Sequence, residues 1–479
     1  MTRTTGSRRV GGRAVERGEG VARRRPGTDA PVRPPEGLPA KPATAAAPPQ
    51  RREAPSARRV ALDVLNATLG PRPKAFDEAF DGHPALAKLA PRDRAFARLL
   101  LTTVLRRLGQ IERVVRGFVR YQPKSLAVRN LLRLGAAQLL FLNTPPHAAV
   151  GESMRLASTA FPHEAPMVNA VLRRIGAEGR AALEGQDAPR LNTPKWLWES
   201  WAAAYGENRA RAIAEAHALE PPLDISVLRD PERWAGELGA ELLATGTLRR
   251  RGGGLVESLP GYEQGAWWVQ DAAAALPVQL MGELRGRRVA DLCAAPGGKT
   301  AQLVAAGADV VAVERSPERA RYLALNLARL GLTADVVVED VRTWQAEGQF
   351  DAVLLDAPCT ATGTIRRHPD VLWHKSPEDV ERLAGVQAQL LAAAAKLVRP
   401  GGVLVYAVCS LQPEEGPERL AAFLGTGPGL VRDPIRKGEL RGLPVEVTEA
   451  GEVRTLPCHL AAIGGLDGFF IARLRRPPP

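Results

Sequence analysis

The sequence predicts a multidomain chain: an all-α domain, a small mixed module, and an α/β domain on a parallel, doubly wound sheet. Three observations carry that expectation. Residues 56–180 repeat apolar positions at helical spacing and show little strand-like alternation. From about residue 266, short β-branched runs alternate with Ala/Leu/Arg-rich runs of helical period. Before residue 56 neither pattern is present.

Residues 1–55 hold 9 Pro and 7 Gly, and a disordered basic tail is expected there. The tail carries 12 Lys/Arg against 5 Asp/Glu, a net of +7 within a chain total of +13. The remaining +6 makes the folded part mildly basic and points to a polyanionic partner, most simply nucleic acid. Of the 479 residues, 45% are hydrophobic and 24% charged, which allows sizeable cores and excludes wholesale disorder. No run of about 18 uncharged apolar residues occurs, so no membrane partner is expected. Met1–Val10 is basic but no apolar stretch follows it, which argues against a secretory signal. Cys293, Cys359, Cys409 and Cys458 form no C-x-x-C pair, which argues against a disulfide framework and against a metal site. A cytoplasmic location is expected, with a monomer as the working state.

The all-α domain is expected over 56–185. Its first helix reads from Ser56-Ala57-Arg58-Arg59-Val60-Ala61-Leu62 onward, and similar runs occupy 92–108, 110–120, 125–142, 147–160 and 166–176. Arg92, Arg94, Arg98, Arg106, Arg107, Arg173 and Arg174 interleave with the apolar stripe and read as a basic face for RNA phosphates. A connecting module is expected over 186–265. There Trp196, Trp198 and Trp201 largely share one helix face and read as buried rather than base-stacking. Leu223 to Leu228 reads as a strand. Arg249-Arg250-Arg251, followed by three glycines, is either a phosphate-contacting loop or a turn.

The α/β domain is expected over 266–476, with strands at Arg288–Leu292, Asp309–Glu314, Ala334–Asp340, Phe350–Asp356 and Gly402–Val408. In such sheets ligands sit beyond the strand C-termini. The first strand closes in Cys293-Ala294-Ala295-Pro296-Gly297-Gly298-Lys299-Thr300. Small residues let the backbone approach a ligand, and the next helix offers free N–H groups. The Gly-Lys-Thr triplet lacks the first glycine of a phosphate loop. Glu314 lies 23 residues past Asp291, where a carboxylate can accept from both ribose hydroxyls. Asp340 is placed to meet an adenine amine. Carboxylates repel a triphosphate but suit S-adenosylmethionine, which is cationic at sulfur.

Asp356-Ala357-Pro358-Cys359 ends the fourth strand and Cys409 follows the fifth. Neighbouring strands should bring both thiols to one rim, whereas Cys458 reads as a small core residue. Pyrimidine C5 does not take a methyl group unaided. A thiolate added at C6 makes C5 enamine-like and nucleophilic. Cys409 as nucleophile, Asp356 on the base's N3/N4 edge and Cys359 in elimination fill that scheme. The base must leave its stack to be reached.

In combination, Asp291–Thr300, Asp356–Cys359 with Thr362-Gly363 and Arg366-Arg367-His368-Pro369-Asp370, and Cys409-Ser410 with Pro413-Glu414-Glu415 resemble the RNA 5-methylcytosine methyltransferases. The similarity is to the bacterial RsmB/Sun (Fmu) branch, which acts on small-subunit rRNA. The N-terminal stretches Asp93–Arg98, Leu132–Leu140, Pro145–Val150 and Val168–Arg174 resemble the antitermination factor NusB, and Gly468-Phe469-Phe470 resembles the family's last strand. The resemblance covers about 56–476. It implies a NusB-like RNA-binding domain before a Rossmann-like, class I methyltransferase domain. It also implies that Cys293, Ala294, Ala295, Pro296, Gly297, Gly298, Lys299, Glu314, Asp340 and Asp356 bind S-adenosylmethionine. Cys409 is then the nucleophile, with Cys359 assisting release. DNA cytosine methyltransferases use the Pro-Cys of the fourth strand instead, so Cys409 favours the RNA type. Glu314 stands where Asp is common, Val408 where Thr is common, and Gly416 where Asn is frequent. The alternatives are a tRNA substrate and a non-catalytic RNA-binding or antitermination factor.

Overall fold

A computed structural model describes residues 56–479; the expected tail, 1–55, lies outside the described residues. The described residues begin with seven α-helices: Ala57–Thr68, Phe76–Asp81, Pro91–Arg106, Leu108–Phe118, Leu126–Leu140, Pro146–Ala160 and Ala165–Glu178. Their starts follow local chemistry. Ser56 and Ser125 accept the backbone N–H three residues on, and Pro91 and Pro146 fill first-turn positions that need no donor. Val60, Leu65, Leu100, Val104, Leu131, Val168 and Leu172 face inward to form one core. Burial of such side chains stabilises by roughly 1.5–3 kcal/mol each.

The arginine face read from the sequence is largely dismantled by this packing. Arg98 pairs with Asp77 at 2.5 Å, and Arg94 donates to the Leu89 carbonyl at 3.0 Å. Arg106 is buried, and Arg107 reaches Gln110 and the Ala218 carbonyl. Intramolecular partners occupy these four.

Next come helices Ala188–Leu191, Lys195–Tyr205 and Glu207–His217, then an antiparallel sheet in the order Glu241–Leu242, Leu248–Arg250, Leu223–Val227, Trp267–Val269. Trp198 and Trp201 are buried. Arg249 is neither loop nor turn: it is a strand residue, fully buried, paired with Asp224 at 2.8 and 2.7 Å. Trp267–Val269 pairs with Leu223–Val227, so these residues complete this small sheet rather than open the next one.

Among the described residues the large sheet has nine strands, eight in one path and a ninth, Val431–Arg432, paired off it with Phe470–Arg475. Asp335–Val337, Asp309–Val313, Arg288–Leu292, Phe350–Asp356 and Val398–Val408 run parallel, in that order. The five expected strands form the parallel part, and the far side adds antiparallel strands: Phe470–Arg475 pairs with Val398–Val408, followed by Val453–Arg454 and Glu446–Val447. The chain makes a long excursion through helix Pro417–Gly425 and comes back at the C-terminal end of Val398–Val408, where Phe470 pairs with Val408, so the last strand runs the opposite way. The third strand is also shorter than read, ending at Val337, so Asp340 lies three residues beyond it in a turn.

Alternate residues along the central strands enter two different cores. Ala352, Leu354, Val405 and Ala407 pack on one face, and Val353, Leu355, Leu404 and Tyr406 on the other. Helix Ala272–Gln279 covers the first face and Pro377–Leu397 the second. Period-two alternation with both faces covered is why the strands read as continuous apolar runs. Strand order reverses between Arg288–Leu292 and Phe350–Asp356, which opens a crevice at their C-terminal ends.

The segment after Cys359 docks onto the helical domain. Arg106 donates to the Arg366 carbonyl at 3.0 Å, and the Phe76 N–H to Asp370 at 3.0 Å. The Trp373 indole donates to the Leu105 carbonyl at 2.9 Å, while His368 meets Asp77 at 3.0 Å. Arg366 itself is fully buried between Asp271 and Asp467.

Candidate active site

The turn after Arg288–Leu292 is shaped by main-chain geometry. Cys293 has φ +61° and Gly297 φ +101°, the left-handed region that glycine enters at low cost. A Cβ on Gly297 would also press against Leu323 at 3.2 Å. Arg319 donates to the Ala295 carbonyl at 2.7 Å and Asn326 to the Pro296 carbonyl at 2.9 Å. Thr300 donates to Asp291 at 2.6 Å. Burial lifts the Asp291 carboxyl to about 7, and it lifts the Cys293 thiol to about 12, with Glu314 nearby adding to the effect. Cys293 is therefore a neutral loop residue, with no reactive thiolate.

Glu314 follows the second strand and is 2% exposed. Its Oε1 accepts from the Ser316 N–H at 3.0 Å, while Oε2 has no hydrogen-bond partner and lies 3.5 Å from Arg319. A buried carboxylate oxygen with spare acceptor capacity is what a ribose diol requires. Together with the Gly297–Gly298 approach, it fits a nucleoside-bearing cofactor. Asp340 is less free. Arg342 binds it at 2.9 and 2.5 Å, and that contact holds its carboxyl down at about 2.

Asp356 ends its strand, and its Oδ2 accepts from Lys299 at 2.7 Å. Burial works against the Lys299 ammonium, but the Asp356 carboxylate overrides it and holds the lysine above its ordinary value. Lys299 also lies over the Phe469 ring, 5.3 Å from its centroid. The helix start after the first strand and the end of the fourth strand thus present a donor and an acceptor side by side.

The two cysteines meet. Leu355 and Asp356 are in register with Tyr406 and Ala407, so both chains leave the sheet together. Pro358, without an N–H, ends the ladder on its side. Cys359 Sγ and Cys409 Sγ are 3.4 Å apart. The hydrogen bond to Cys409, reinforced by burial, pushes the Cys359 thiol well above its usual value. Either thiol can donate to the other across this contact. Cys458 is a partly buried neighbour of a separate cluster containing Leu197 and Trp201.

Glu415 was quoted within a motif but given no role by the sequence reading. It is fully buried, whereas Glu414 is exposed. Its carboxylate accepts from the Thr360 N–H at 2.9 Å, the Ser410 hydroxyl at 2.6 Å and the Gln387 amide at 3.1 Å, and it also binds the Thr360 hydroxyl. Thr360 follows Cys359 and Ser410 follows Cys409, so one carboxylate ties both thiol-bearing segments. Gly363 completes the fit: a Cβ there would lie 1.9 Å from the Gly468 carbonyl oxygen, so the two backbones can touch only without one.

Among the described residues, no group of three or more His, Cys, Asp or Glu is disposed to hold a metal ion, and no helix is long and apolar enough to cross a membrane.

Comparison with known proteins agrees with this geometry. Residues 279–475 match the family described as 16S rRNA methyltransferase RsmB/F, and residues 55–177 match the NusB family. A ribosomal RNA small subunit methyltransferase B from Cronobacter sakazakii is 36% identical over 413 residues, covering 82% of this chain and 92% of the relative. The protein of that name from Salmonella typhi is 37% identical, covering 72% and 85%. A crystal structure of a methyltransferase homolog protein from Pyrococcus horikoshii aligns with TM-score 0.51 at 28% identity, over 60% of this chain and 96% of that one. In fold alone, the crystal structure of PH0851 aligns with TM-score 0.69, over 87% and 97%.

Proposed function

This chain belongs to the 16S rRNA methyltransferase RsmB/F family, and from that premise we propose that it methylates C5 of a cytosine in small-subunit rRNA with S-adenosylmethionine as methyl donor. The observation that carries the C5 reading is the 3.4 Å approach of Cys359 and Cys409 beside the Lys299–Asp356 pair. One thiol would suffice for a simple transfer to a nucleophilic nitrogen or oxygen, and none is required. Two thiols in contact suit a reaction that must both form and break a carbon–sulfur bond.

Cys409 adds to C6, and the electrons of the C5–C6 double bond move toward the N3/O2 side. C5 becomes the nucleophile. Asp356 accepts from the exocyclic N4 amine, while Lys299 donates to the N3/O2 edge and stabilises the charge that develops there. S-adenosylmethionine, when bound, supplies an electrophilic methyl group on sulfonium. The residues that would hold it are Cys293 to Lys299, Glu314, Asp340 and Asp356. After methylation the C5–H electrons re-form the C5–C6 double bond and expel the Cys409 sulfur, which takes the Cys359 proton, while the Cys359 thiolate so formed, directly or through a water, takes the C5 proton. The proposal carries with it a cytoplasmic enzyme, where an rRNA substrate is available.

Bisulfite sequencing of rRNA from cells with and without the protein tests the product. One cytosine that loses its methyl mark in small-subunit rRNA is the expected result. Loss of a tRNA mark instead would overturn the substrate, and no change at any cytosine would overturn the C5 chemistry. With purified protein, Cys409→Ser should abolish turnover. Cys359→Ala should accumulate a protein–RNA adduct, seen as a shifted band on a denaturing gel.

A further inference from the structure

The arginines nearest the helical core are engaged within the fold, and the free cations lie elsewhere. Between Glu112 and Glu152 the sequence has no Asp or Glu, yet it has Arg113, Arg116, Arg120, Lys124, Arg129 and Arg133. Arg133 is taken by Glu112 at 2.5 Å. Arg113, Arg116, Arg120 and Lys124 are exposed and have no carboxylate partner among the described residues. Arg113 and Arg116 are three apart on helix Leu108–Phe118, and Arg120 and Lys124 lie in the segment that follows its end. Ile111, Val114 and Val115 of the same helix are buried, so the stripe of Arg113 and Arg116 faces solvent.

Aromatic rings accompany these charges. Tyr121 is 76% exposed, and the Arg120 guanidinium lies 5.4 Å from its ring centroid. Arg174 covers Phe118 at 5.1 Å. Beside them is an open cavity of about 570 Å³, lined by Arg113, Phe118, Gln186 and Arg190 among others. Gln186 Oε1 and Arg190 Nη1 there are buried without hydrogen-bond partners. Asp187 is neutralised by Arg211 through two 2.8 Å bonds, leaving Glu184 as the opposing acid.

We propose that this face of the helical domain binds a single-stranded RNA segment, with phosphates along Arg113, Arg116, Arg120 and Lys124 and a base stacked on Tyr121. Unopposed cations in a row repel one another, and a polyanion relieves that repulsion while releasing its own counterions. An exposed ring accepts any unpaired base, whereas a duplex keeps its bases inside and leaves the ring unused. The inference rests on the RNA substrate proposed above. It adds a second contact, outside the cysteine rim, that would hold the RNA while the target base is drawn in.

The test is a fluorescence-anisotropy titration of full-length protein with a labelled 20-nucleotide oligouridylate, across a salt series and without methyl donor. Arg113→Ala, Arg116→Ala and Arg120→Ala combined should weaken binding about tenfold and lower the slope of log affinity against log salt by about 2. Tyr121→Ala should weaken it about tenfold, and Tyr121→Phe should restore it. A control triple, Arg285→Ala, Arg287→Ala and Lys437→Ala, removes as much charge elsewhere and should matter little. Unchanged affinity and slope in the first triple, or an equal loss in the control, overturns the site. Loss on the stripe with no effect of Tyr121→Ala overturns the single-strand assignment. Because binding is read without turnover, an enzyme that failed the bisulfite test could still pass this one, and the reverse.

Discussion

The two halves of the reactive rim are held in place by different means. The Cys293–Gly298 turn is set by the main chain, through two positive φ angles and through carbonyls held by Arg319 and Asn326. The Cys359–Cys409 pair is set by one side chain, the Glu415 carboxylate, which reaches both segments. Several independent contacts share the work in the first half. In the second half they converge on one group, so a single substitution should be far more damaging there.

The largest effect is therefore expected at Glu415. Glu415→Ala would leave the Thr360 N–H, the Ser410 hydroxyl and the Gln387 amide without their acceptor in a closed interior. That should cost about 3 kcal/mol of stability. Misplacing either thiol by about 1 Å should lower turnover about 100-fold. Glu415→Gln keeps the shape and an acceptor oxygen. Burial raises this carboxyl above its ordinary value, so the charge is held at some cost and the neutral amide avoids it. The amide variant should consequently recover most of the stability. Thermal unfolding and single-turnover rates for the two variants decide the matter, and wild-type turnover in Glu415→Ala would refute the contrast.

A smaller effect is expected in the main-chain half. Glu314 offers one buried acceptor oxygen, and hydrogen bonds to charged groups contribute roughly 1.5–3 kcal/mol. Glu314→Gln should raise the KM for S-adenosylmethionine about tenfold to a hundredfold with kcat little changed, because the turn around it stays braced. An equal fall in kcat would mean that Glu314 organises the rim as well as binding ribose.

The same division explains what could be read from the sequence. The five parallel strands were legible because both faces are apolar and the runs are short. The Cys293–Lys299 turn was legible because main-chain constraints select small residues, Gly and Pro. The meeting of Cys359 and Cys409 followed from adjacent strands. Glu415 was not legible: two adjacent glutamates look alike until one is placed inside. Arg249 was hidden for a related reason, since its partner Asp224 is 25 residues away and only the sheet register joins them. Asp340 looked like a strand end because Val338 extends the apolar run, but pairing stops at Val337.

A third region, the seam with the helical domain, extends the contrast to long range, and acid is the way to probe it. Asp77 sits between His368 and Arg98. Burial pushes its carboxyl up, but the His368 hydrogen bond and the Arg98 charge more than offset this, and it falls from 3.8 to about 2. A carboxyl depressed on folding contributes stability that is fully present above its unfolded value, near pH 4, and that is lost as pH falls toward 2. With Asp77 a third exposed, solvent screening brings that contribution to about 1 kcal/mol. Asp77→Asn should therefore lower stability by that amount at neutral pH and flatten the acid limb between pH 4 and 2, as read by urea unfolding across that range. An unchanged acid limb would mean that His368 and Arg98 do not hold the seam through this carboxylate. The docking would then rest on main-chain acceptors such as the Arg366 and Leu105 carbonyls, which do not titrate.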